Sequence, residues 1–159
     1  MANQNYTKIS DLVTGTEGSA YITTDGQNRY FFELSKIESN IEFTVLAKRL
    51  LGHRMKQHKV TAAEGKGSIT MYNVSPAALA IYQEYIKNGK TPSISIQTTN
   101  EDASSTIGRR VVVMRNVILA KVPVASLDDS SEDLSTTDTD FTFDDLDDLE
   151  SYVLPENMR

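Results

Sequence analysis

Apolar and polar residues alternate along several stretches of this chain, which is the pattern of a β strand with one buried face. The longest example is KIESNIEFTVLAK, in which Ile37, Ile41, Phe43 and Val45 occupy odd positions. The same period of two residues returns in GSITMYNV and in PSISIQTT. The alternation therefore predicts a domain built mainly from antiparallel strands.

Turn signals divide these strands. GSAYITTDGQNRYFFELS predicts a short hairpin, because the dipeptide Asp25-Gly26 suits the positive φ angles of a tight turn. RRVVVMRNVILAKVPVASL predicts a long strand region that is bent or bulged near Asn116. Pro123 lacks a backbone donor and indicates that this strand ends at an edge.

One stretch, SPAALAIYQEYIKNG, has the signals of an α helix. Ser75 suits the N-cap, Pro76 suits the first turn, and Gly89 can adopt the left-handed conformation after the last turn. We expect one broad apolar face of this helix to lie against a sheet. Its residues are Ala77, Ala78, Leu79, Tyr82, Tyr85 and Ile86.

These elements predict an α+β fold, an antiparallel β-sandwich or barrel-like domain with one helix packed on the outside. A chain of 159 residues has the size of one domain that buries roughly 70% of its unfolded surface. We expect a single domain over residues 1–159, with a long basic loop or extended hairpin at about 48–66 and an acidic segment at about 126–159.

No apolar run reaches the roughly 20 residues of a membrane helix, and the first residues lack a signal-peptide pattern, which predicts a soluble protein without a membrane anchor.

The charged residues are distributed unevenly. Residues 1–121 contain 15 Lys and Arg against 10 Asp and Glu, whereas residues 122–159 contain 12 acidic residues and one Arg. Three interpretations stay open: neutralisation within the chain, a disordered acidic tail, and complementarity between copies. A disordered tail suits residues 126–138, which offer little to bury. FTFDDLDDLE, from Phe141 to Glu150, instead starts as a strand before its carboxylates begin.

Few residues suggest chemistry. The chain has no cysteine, which excludes disulfides, thiol nucleophiles and cysteine-based metal sites. His53 and His58 are five residues apart, which is not the spacing of a zinc-binding helix, and DTDFTFDD lacks the glycine and the closing glutamate of a calcium loop. We therefore predict no catalytic residues, no metal site and no cofactor. Two competing classes are a small acidic protein-binding β module and a small hydrolase with a concave pocket and perturbed carboxylates.

The order of these segments resembles the tail tube (core tail) protein of contractile-tailed phages and phage-like particles, the PBSX-like family. The resemblance covers about Ile41 to Pro155. Its most specific parts are the strand GKGSITMYNVS, the helix with its YIKNGKTP end, and the closing FTFDDLDDLESYVLPE.

The resemblance implies a structural protein whose copies form hexameric rings. Strands of neighbouring copies would pair to close an inner barrel, with the helix outside. The rings would stack into a tube inside a contractile sheath, in contact with tape measure, baseplate and tail terminator proteins. Such a tube lies in the virion tail, is assembled in the host cytoplasm and is driven through the host envelope. It conducts DNA without binding it specifically, or it belongs to a DNA-free contractile bacteriocin.

For this chain we expect contacts between copies where the basic stretch of one copy meets the acidic segment of a neighbour, because charge complementarity sets register and partner choice. The alternative is that the two segments neutralise each other within one copy or stay solvated. The basic residues are Lys48, Arg49, Arg54, Lys56 and Lys59, and the acidic residues are Asp144, Asp145, Asp147, Asp148 and Glu150. The expected lumen-facing residues are Ser68, Thr70, Ser93, Ser95 and Gln97.

Overall fold

A computed structural model describes residues 8–31, 33–125, 127–130, 132–155 and 158. Ser126, Ser131 and residues 156, 157 and 159 of the predicted acidic segment lie outside the described residues, as do residues 1–7. The described residues form two three-residue 3-10 helices at Ile9–Asp11 and Gly15–Glu17, nine strands and one α helix. The main elements are β1 (Gly18–Thr24), β2 (Gln27–Tyr30), β3 (Leu34–Lys48), β4 (Gln57–Tyr72), α1 (Ala77–Asn88), β5 (Ile94–Glu101), β6 (Arg109–Arg115), β7 (Ile118–Leu119), β8 (Thr136–Phe143) and β9 (Asp145–Glu150).

The strands form two antiparallel sheets with one core between them. A five-stranded sheet has the order β2-β1-β5-β6-β9, and a four-stranded sheet has the order β3-β4-β8-β7. The predicted α+β class with mostly antiparallel strands is confirmed. The described residues contain no helix with the length and apolar character of a membrane span. Both sheets supply buried side chains to the core, among them Ala20, Ile22, Ile94, Ile96 and Met114 from the first sheet and Ile69, Met71, Leu119, Phe141 and Phe143 from the second.

The short hairpin between β1 and β2 is confirmed. Asp25 and Gly26 form its two-residue turn with φ angles of 48° and 85°. Both residues therefore lie in the left-handed region, which the right-handed twist of the two strands favours in a tight turn. Beyond the turn, Tyr21 pairs with Tyr30, and their rings contact edge to face at 5.6 Å between centroids.

The basic stretch forms an extended hairpin, one of the two arrangements that its sequence allowed. Lys48 still belongs to β3, and β4 begins at Gln57, so only residues 49–56 form a connecting loop. The register shifts between Thr44 and Val45, which marks a bulge in the outer part of the hairpin. The hairpin extends well beyond the five-stranded sheet that covers its base.

Two glycines of β4 let aromatic rings of β8 lie directly against the strand. Gly65 pairs with Phe143, and Gly67 pairs with Phe141, which is only 1% exposed. A Cβ atom at Gly67 would overlap the Phe141 ring and the backbone oxygen of Glu38. Glycine is therefore required here by the close approach of three strands.

The helix ends at Gly89 as predicted, but Pro76 rather than Ser75 occupies its N-cap position, and its packed face is smaller than predicted. The Ser75 hydroxyl accepts a hydrogen bond from the Ala77 amide at 3.2 Å, and Gly89 ends the helix with a φ of 73°. Ile81 and Tyr82 pack on the core, and the Tyr82 hydroxyl accepts a bond from the Leu119 amide at 2.9 Å. The prediction that Ile86 packs on a sheet is wrong, because Ile86 is 73% exposed. The sheets cover only the first half of the helix.

The predicted bend near Asn116 is a change of sheet. Asn116 has a φ of 54° and separates β6, in the five-stranded sheet, from β7, an edge strand of the four-stranded sheet. The chain returns to the first sheet at Asp144, between β8 and β9. Asp144 accepts a hydrogen bond from the Asn116 side chain, so the two crossing points are bonded to each other. Strand β7 ends at Leu119, before Pro123, as the sequence predicts.

The acidic segment contains two strands. Residues 136–138 belong to β8, so that part of the predicted disordered stretch is a strand. FTF is the end of the same strand, as predicted, with Phe141 and Phe143 buried in the core. The dense carboxylates that follow form β9 rather than an irregular tail.

Candidate assembly interface

The outer part of the β3–β4 hairpin exposes apolar side chains. Strand β8 pairs with β4 from Gly65 to Tyr72, so within the described part of the chain the outer halves of β3 and β4 pair only with each other. Four large apolar residues on the core-facing side of this outer part are 39% to 60% exposed. We call them the apolar stripe: Ile41, Phe43, Val45 and Val60.

The apolar stripe lies on the same face of the β3–β4 hairpin as the buried core residues. Phe43 pairs with Ala63, and Val45 pairs with Val60, on the same face as buried Ile69 further along β4. A contiguous exposed apolar patch of this kind marks an interaction site in a soluble protein. The hairpin therefore carries a face that another surface can cover.

The predicted basic contact residues lie together at the end of the hairpin. Lys48, Arg49, Arg54, Lys56 and Lys59 are exposed, and we call this group the basic tip. None of them takes part in an ion pair among the described residues, whose ion pairs all lie elsewhere. The basic tip is therefore available for a negatively charged partner.

The predicted acidic contact residues have partners within their own chain. Arg115 bonds Asp147 at 2.6 Å across β6 and β9, and Arg109 bonds Glu150 across the same pair of strands. The hydrogen bond from Arg109 lowers the pKa of Glu150. Neutralisation within the chain therefore occurs through β6, and no bond joins the basic tip to β9 in the part of the chain described.

The remaining acidic contact residues differ in their surroundings. Asp144 is bonded to Asn116, and Asp148 accepts a hydrogen bond from the Ser151 hydroxyl. Among the described residues, the Asp145 side chain accepts a local bond, at 2.9 Å, from the Leu146 amide. Strand β9 is an edge of its sheet, so its carboxylates border a side that another copy can approach. Contact between the basic tip and this strand in a neighbour stays a prediction.

The predicted lumen-facing residues lie on two different surfaces. Ser68 and Thr70 alternate with buried Ile69 and therefore lie on the outer face of the four-stranded sheet. Ser95 and Gln97 lie on the outer face of the five-stranded sheet, and Ser93 comes just before it. Because the outer faces of two packed sheets point in opposite directions, one lumen cannot be lined by both groups.

The outer face of the four-stranded sheet is acidic below the basic tip. Lys66 bonds Glu42 at 3.0 Å and Glu64 at 3.1 Å, and these hydrogen bonds raise the pKa of the Lys66 ammonium group. From the alternation, the sequence placed the charges of β3 and β4 on one face. It did not show that the carboxylates of β8 lie on the same face. The carboxylates are Glu38, Glu42, Glu64, Asp138 and Asp140, and the lysines are Lys36 and Lys66.

An open groove lies between the two sheets, where the base of the hairpin passes the five-stranded sheet. Its volume is about 1140 Å³. Residues 34–41 of β3 border it on one side, and β1, β5, β6 and β9 border it on the other. The sequence carried no signal for this groove, because its lining comes from strands that are far apart in the chain.

Buried carboxylates in the described residues have structural partners. The Thr106 hydroxyl donates to Asp11 at 2.6 Å, and the Ser104 hydroxyl and amide donate to Asp102. These bonds lower the pKa of both carboxyls, and the bond between Thr106 and Asp11 ties the first 3-10 helix to the loop between β5 and β6. A general acid at neutral pH requires a raised pKa instead, so these two groups do not favour the hydrolase alternative.

The chain is similar to one protein family and to two proteins of one organism. Residues 5–150 match the family described as phage tail tube protein. The chain is 32% identical over 152 residues to the uncharacterized protein YqbM of Bacillus subtilis (strain 168), which covers 96% of both chains. It is 31% identical over 140 residues to the phage-like element PBSX protein XkdM of the same organism, which covers 88% of this chain and 92% of that protein.

The fold is also found in solved structures. A chain from the sheath-tube complex of an extracellular contractile injection system matches with a TM-score of 0.64 and 10% identity, over 94% of this chain and 95% of that chain. A chain from the anti-feeding prophage tube-terminating cap matches with a TM-score of 0.65 and 12% identity, over 95% and 100%. At these identities the likeness shows the fold alone. The family match and the two Bacillus relatives show that this chain belongs to the phage tail tube protein family.

Proposed function

We propose that six copies of this chain close into a ring and that the rings stack into the tube of a contractile tail. The observation that carries the proposal is the apolar stripe, Ile41, Phe43, Val45 and Val60, an apolar face of the outer hairpin that the described residues leave 39% to 60% exposed. In a tube, the partner that covers this apolar face is a neighbouring copy of the same chain. A repeated contact that closes by rotation gives a ring, and repetition along the axis gives a tube.

In this proposal the four-stranded sheet forms the inner barrel. Its edge strands are β3 and β7, and one side of the 15-residue β3 pairs with no other strand of the described residues. A long free edge favours strand addition from another copy. Adjacent four-stranded sheets joined edge to edge would form a continuous wall, with α1 on the outside.

The acidic outer face of that sheet then lines the lumen, including Ser68 and Thr70. Five carboxylates against two lysines repel a passing nucleic acid rather than bind it, because cations are what hold phosphates. This suits DNA that passes without specific binding. The same wall serves a DNA-free bacteriocin, the alternative that the sequence left open.

The further partners follow from the tube assignment. The chains similar in fold come from a sheath-tube complex and from a tube-terminating cap, which supports a sheath and a terminator as partners of this chain. Baseplate and tape measure proteins complete the expected set. Assembly would take place in the host cytoplasm, and the role of the chain would be structural rather than catalytic.

A labelling experiment tests which sheet faces the lumen. The chain has no cysteine, so Ser68→Cys and Ser93→Cys each give one thiol, and both serines are exposed in the monomer. A maleimide on a polymer too large for the lumen should label both monomers. In tubes it should label Ser93→Cys and spare Ser68→Cys, while a small maleimide labels both. Labelling of Ser68→Cys tubes by the large reagent would contradict the inner-barrel assignment.

Charge reversal tests the basic tip. Replacing Lys48, Arg49 and Lys56 by glutamate is expected to raise the protein concentration needed for tubes at least tenfold, since like charges would then face the acidic edge of a neighbour. The monomer should keep its free energy of unfolding, because the tip forms no ion pairs within the described chain. Sedimentation across protein concentration measures this change.

The matched control reverses three exposed lysines outside the hairpin, Lys87, Lys90 and Lys121, and gives the same net charge. Equal loss of assembly in both triple variants would show that only total charge matters. If the tip variant forms tubes at the unmodified concentration, the basic tip is not part of the interface.

A further inference from the structure

The N-terminal strap, residues 8–17, borders the open groove between the two sheets without joining either sheet. It consists of the two 3-10 helices and the residues beside them, and β1 begins only at Gly18. Within the described residues the strap pairs with no strand and contributes no side chain to the buried core. Its groove-lining residues are Val13, Gly15 and Thr16. The strap is therefore held by something other than strand pairing or core packing.

The burial of side chains in the strap is the reverse of the usual pattern. Asp11 is only 5% exposed, whereas Ile9 and Leu12 are 89% and 57% exposed. Carboxylates are rarely buried unless they are paired, and apolar side chains left in water give no burial energy. Polar bonds thus fix the strap, and its apolar side chains contribute little to its position.

These polar bonds lead to the β5–β6 loop, residues 102–108. The Thr106 hydroxyl donates to the Asp11 carboxylate at 2.6 Å. In the other direction, the Thr14 amide of the strap donates at 3.4 Å to Asp102, which is 9% exposed. Each segment therefore supplies a buried carboxylate and a donor to the other. A buried carboxylate that loses a donor is costly, so the position of the strap and that of the loop depend on each other.

We propose that the strap and the β5–β6 loop form a latch that opens as one unit while the two sheets stay folded, and that a copy must open it to enter a tube. Segments with few buried apolar contacts are the ones that open locally. The strap shares the groove with residues 34–41 of β3, the base of the hairpin that carries the apolar stripe. A closed latch therefore restrains the base of that hairpin. The requirement for opening rests on the proposed tube, whereas the latch itself does not.

Amide hydrogen exchange of the monomer tests the latch without any tube. Residues 8–17 and 102–108 should exchange with one common opening constant, at least about 100-fold larger than that of β4 and β8. Thr106→Val removes the hydroxyl that bonds Asp11 and should speed exchange in both segments about tenfold, with β4 unchanged. Thr23→Val removes a hydroxyl bond within the β1–β2 hairpin, so it is the matched control and should leave both segments unchanged.

Two results of the exchange experiment would overturn the latch. One is a different opening constant for the strap and the loop, and the other is equal acceleration of the sheets by Thr106→Val. If Thr106→Val does not fold, Ser105→Ala decides, because the Ser105 hydroxyl donates to the Asp11 backbone oxygen at 3.0 Å. Ser105→Ala should then speed exchange in the same two segments.

A disulfide tests whether assembly requires the open latch. The chain has no cysteine of its own, and the side chains of Asp11 and Thr106 are in contact. Asp11→Cys and Thr106→Cys in one chain therefore place two thiols across the latch. Oxidised protein should stay monomeric at a concentration at which the same protein, once reduced, forms tubes. Oxidised tubes at that concentration would overturn the requirement for opening.

If the disulfide does not form, the assembly of Thr106→Val decides. A tenfold larger open fraction should lower the protein concentration needed for tubes about tenfold, and an unchanged concentration would overturn the requirement.

These outcomes separate the latch from the proposed function. If tubes form equally well from oxidised and reduced protein, the tube stands and the role of the latch in assembly is wrong. If the unmodified chain forms no tubes under any condition, the proposed function fails together with that role, and the exchange of the monomer alone decides whether the latch exists.

Discussion

Replacing Phe43 and Val45 by threonine is expected to abolish tube formation while the monomer stays folded. Both side chains are more than half exposed in the single chain, at 60% and 53%. Threonine keeps the strand propensity of the hairpin, so the free energy of unfolding should change by less than about 1 kcal/mol. The apolar area that a neighbour would cover is lost.

The size of the assembly defect follows from apolar burial. Covering a large apolar side chain contributes about 1.5–3 kcal/mol, so two of them correspond to at least about 100-fold in the concentration needed for tubes. Light scattering across protein concentration, with urea unfolding of the monomer, measures both quantities. Alanine at Tyr85 and Ile86, an equally exposed pair on α1, is the control and should leave tubes intact. Tubes at the unmodified concentration from the threonine variant would contradict a role for the apolar stripe.

Replacing Gly67 by alanine is expected to cause the largest loss of monomer stability. The added methyl group would overlap the Phe141 ring and the backbone oxygen of Glu38 on the neighbouring strand. A ring can move, but the backbone of β3 is held by its ladder with β4. We expect a loss of about 3 kcal/mol or more, the upper part of the range for overpacked cores.

The control for this change is Gly15→Ala. A Cβ atom at Gly15 has nothing within 4 Å among the described residues other than its chain neighbours, so this variant should unfold within about 0.5 kcal/mol of the unmodified chain. Urea denaturation of both variants measures the difference. Equal stability of the two would mean that the close approach of β3, β4 and β8 is not as tight as described.

The parts of the fold that depend on local pattern were predictable from the sequence. The Asp25-Gly26 turn, the buried pair Ile94 and Ile96, and the end of the helix at Gly89 are set by residues close together in the chain. Their determinants are φ angles, alternation and capping, which a single sequence shows directly.

The parts that depend on which surfaces meet were not predictable. Alternation continues through Asn116 and Asp144, so the sequence does not show that the chain changes sheet at each of them. Ile86 has the same apolar character as packed Ile81, and only the extent of the sheets decides which is covered.

The candidate site shows the same division. The basic tip and the acidic strand were found from charge alone, because like charges cluster in the sequence. The partners Arg109 and Arg115 were missed, since pairing of β6 with β9 joins residues more than 30 positions apart. The residues predicted to face the lumen were drawn from two strand regions of equal polarity, and only the sheet order shows that they lie on opposite sides of the domain.

The most direct test of the central claim is negative-stain electron microscopy of the purified full chain, over a range of protein and salt concentrations and with baseplate components added. The tube assignment predicts rings or hollow tubes of uniform diameter, with a lumen along the axis. A protein that stays monomeric at every concentration, even with baseplate components present, would contradict it.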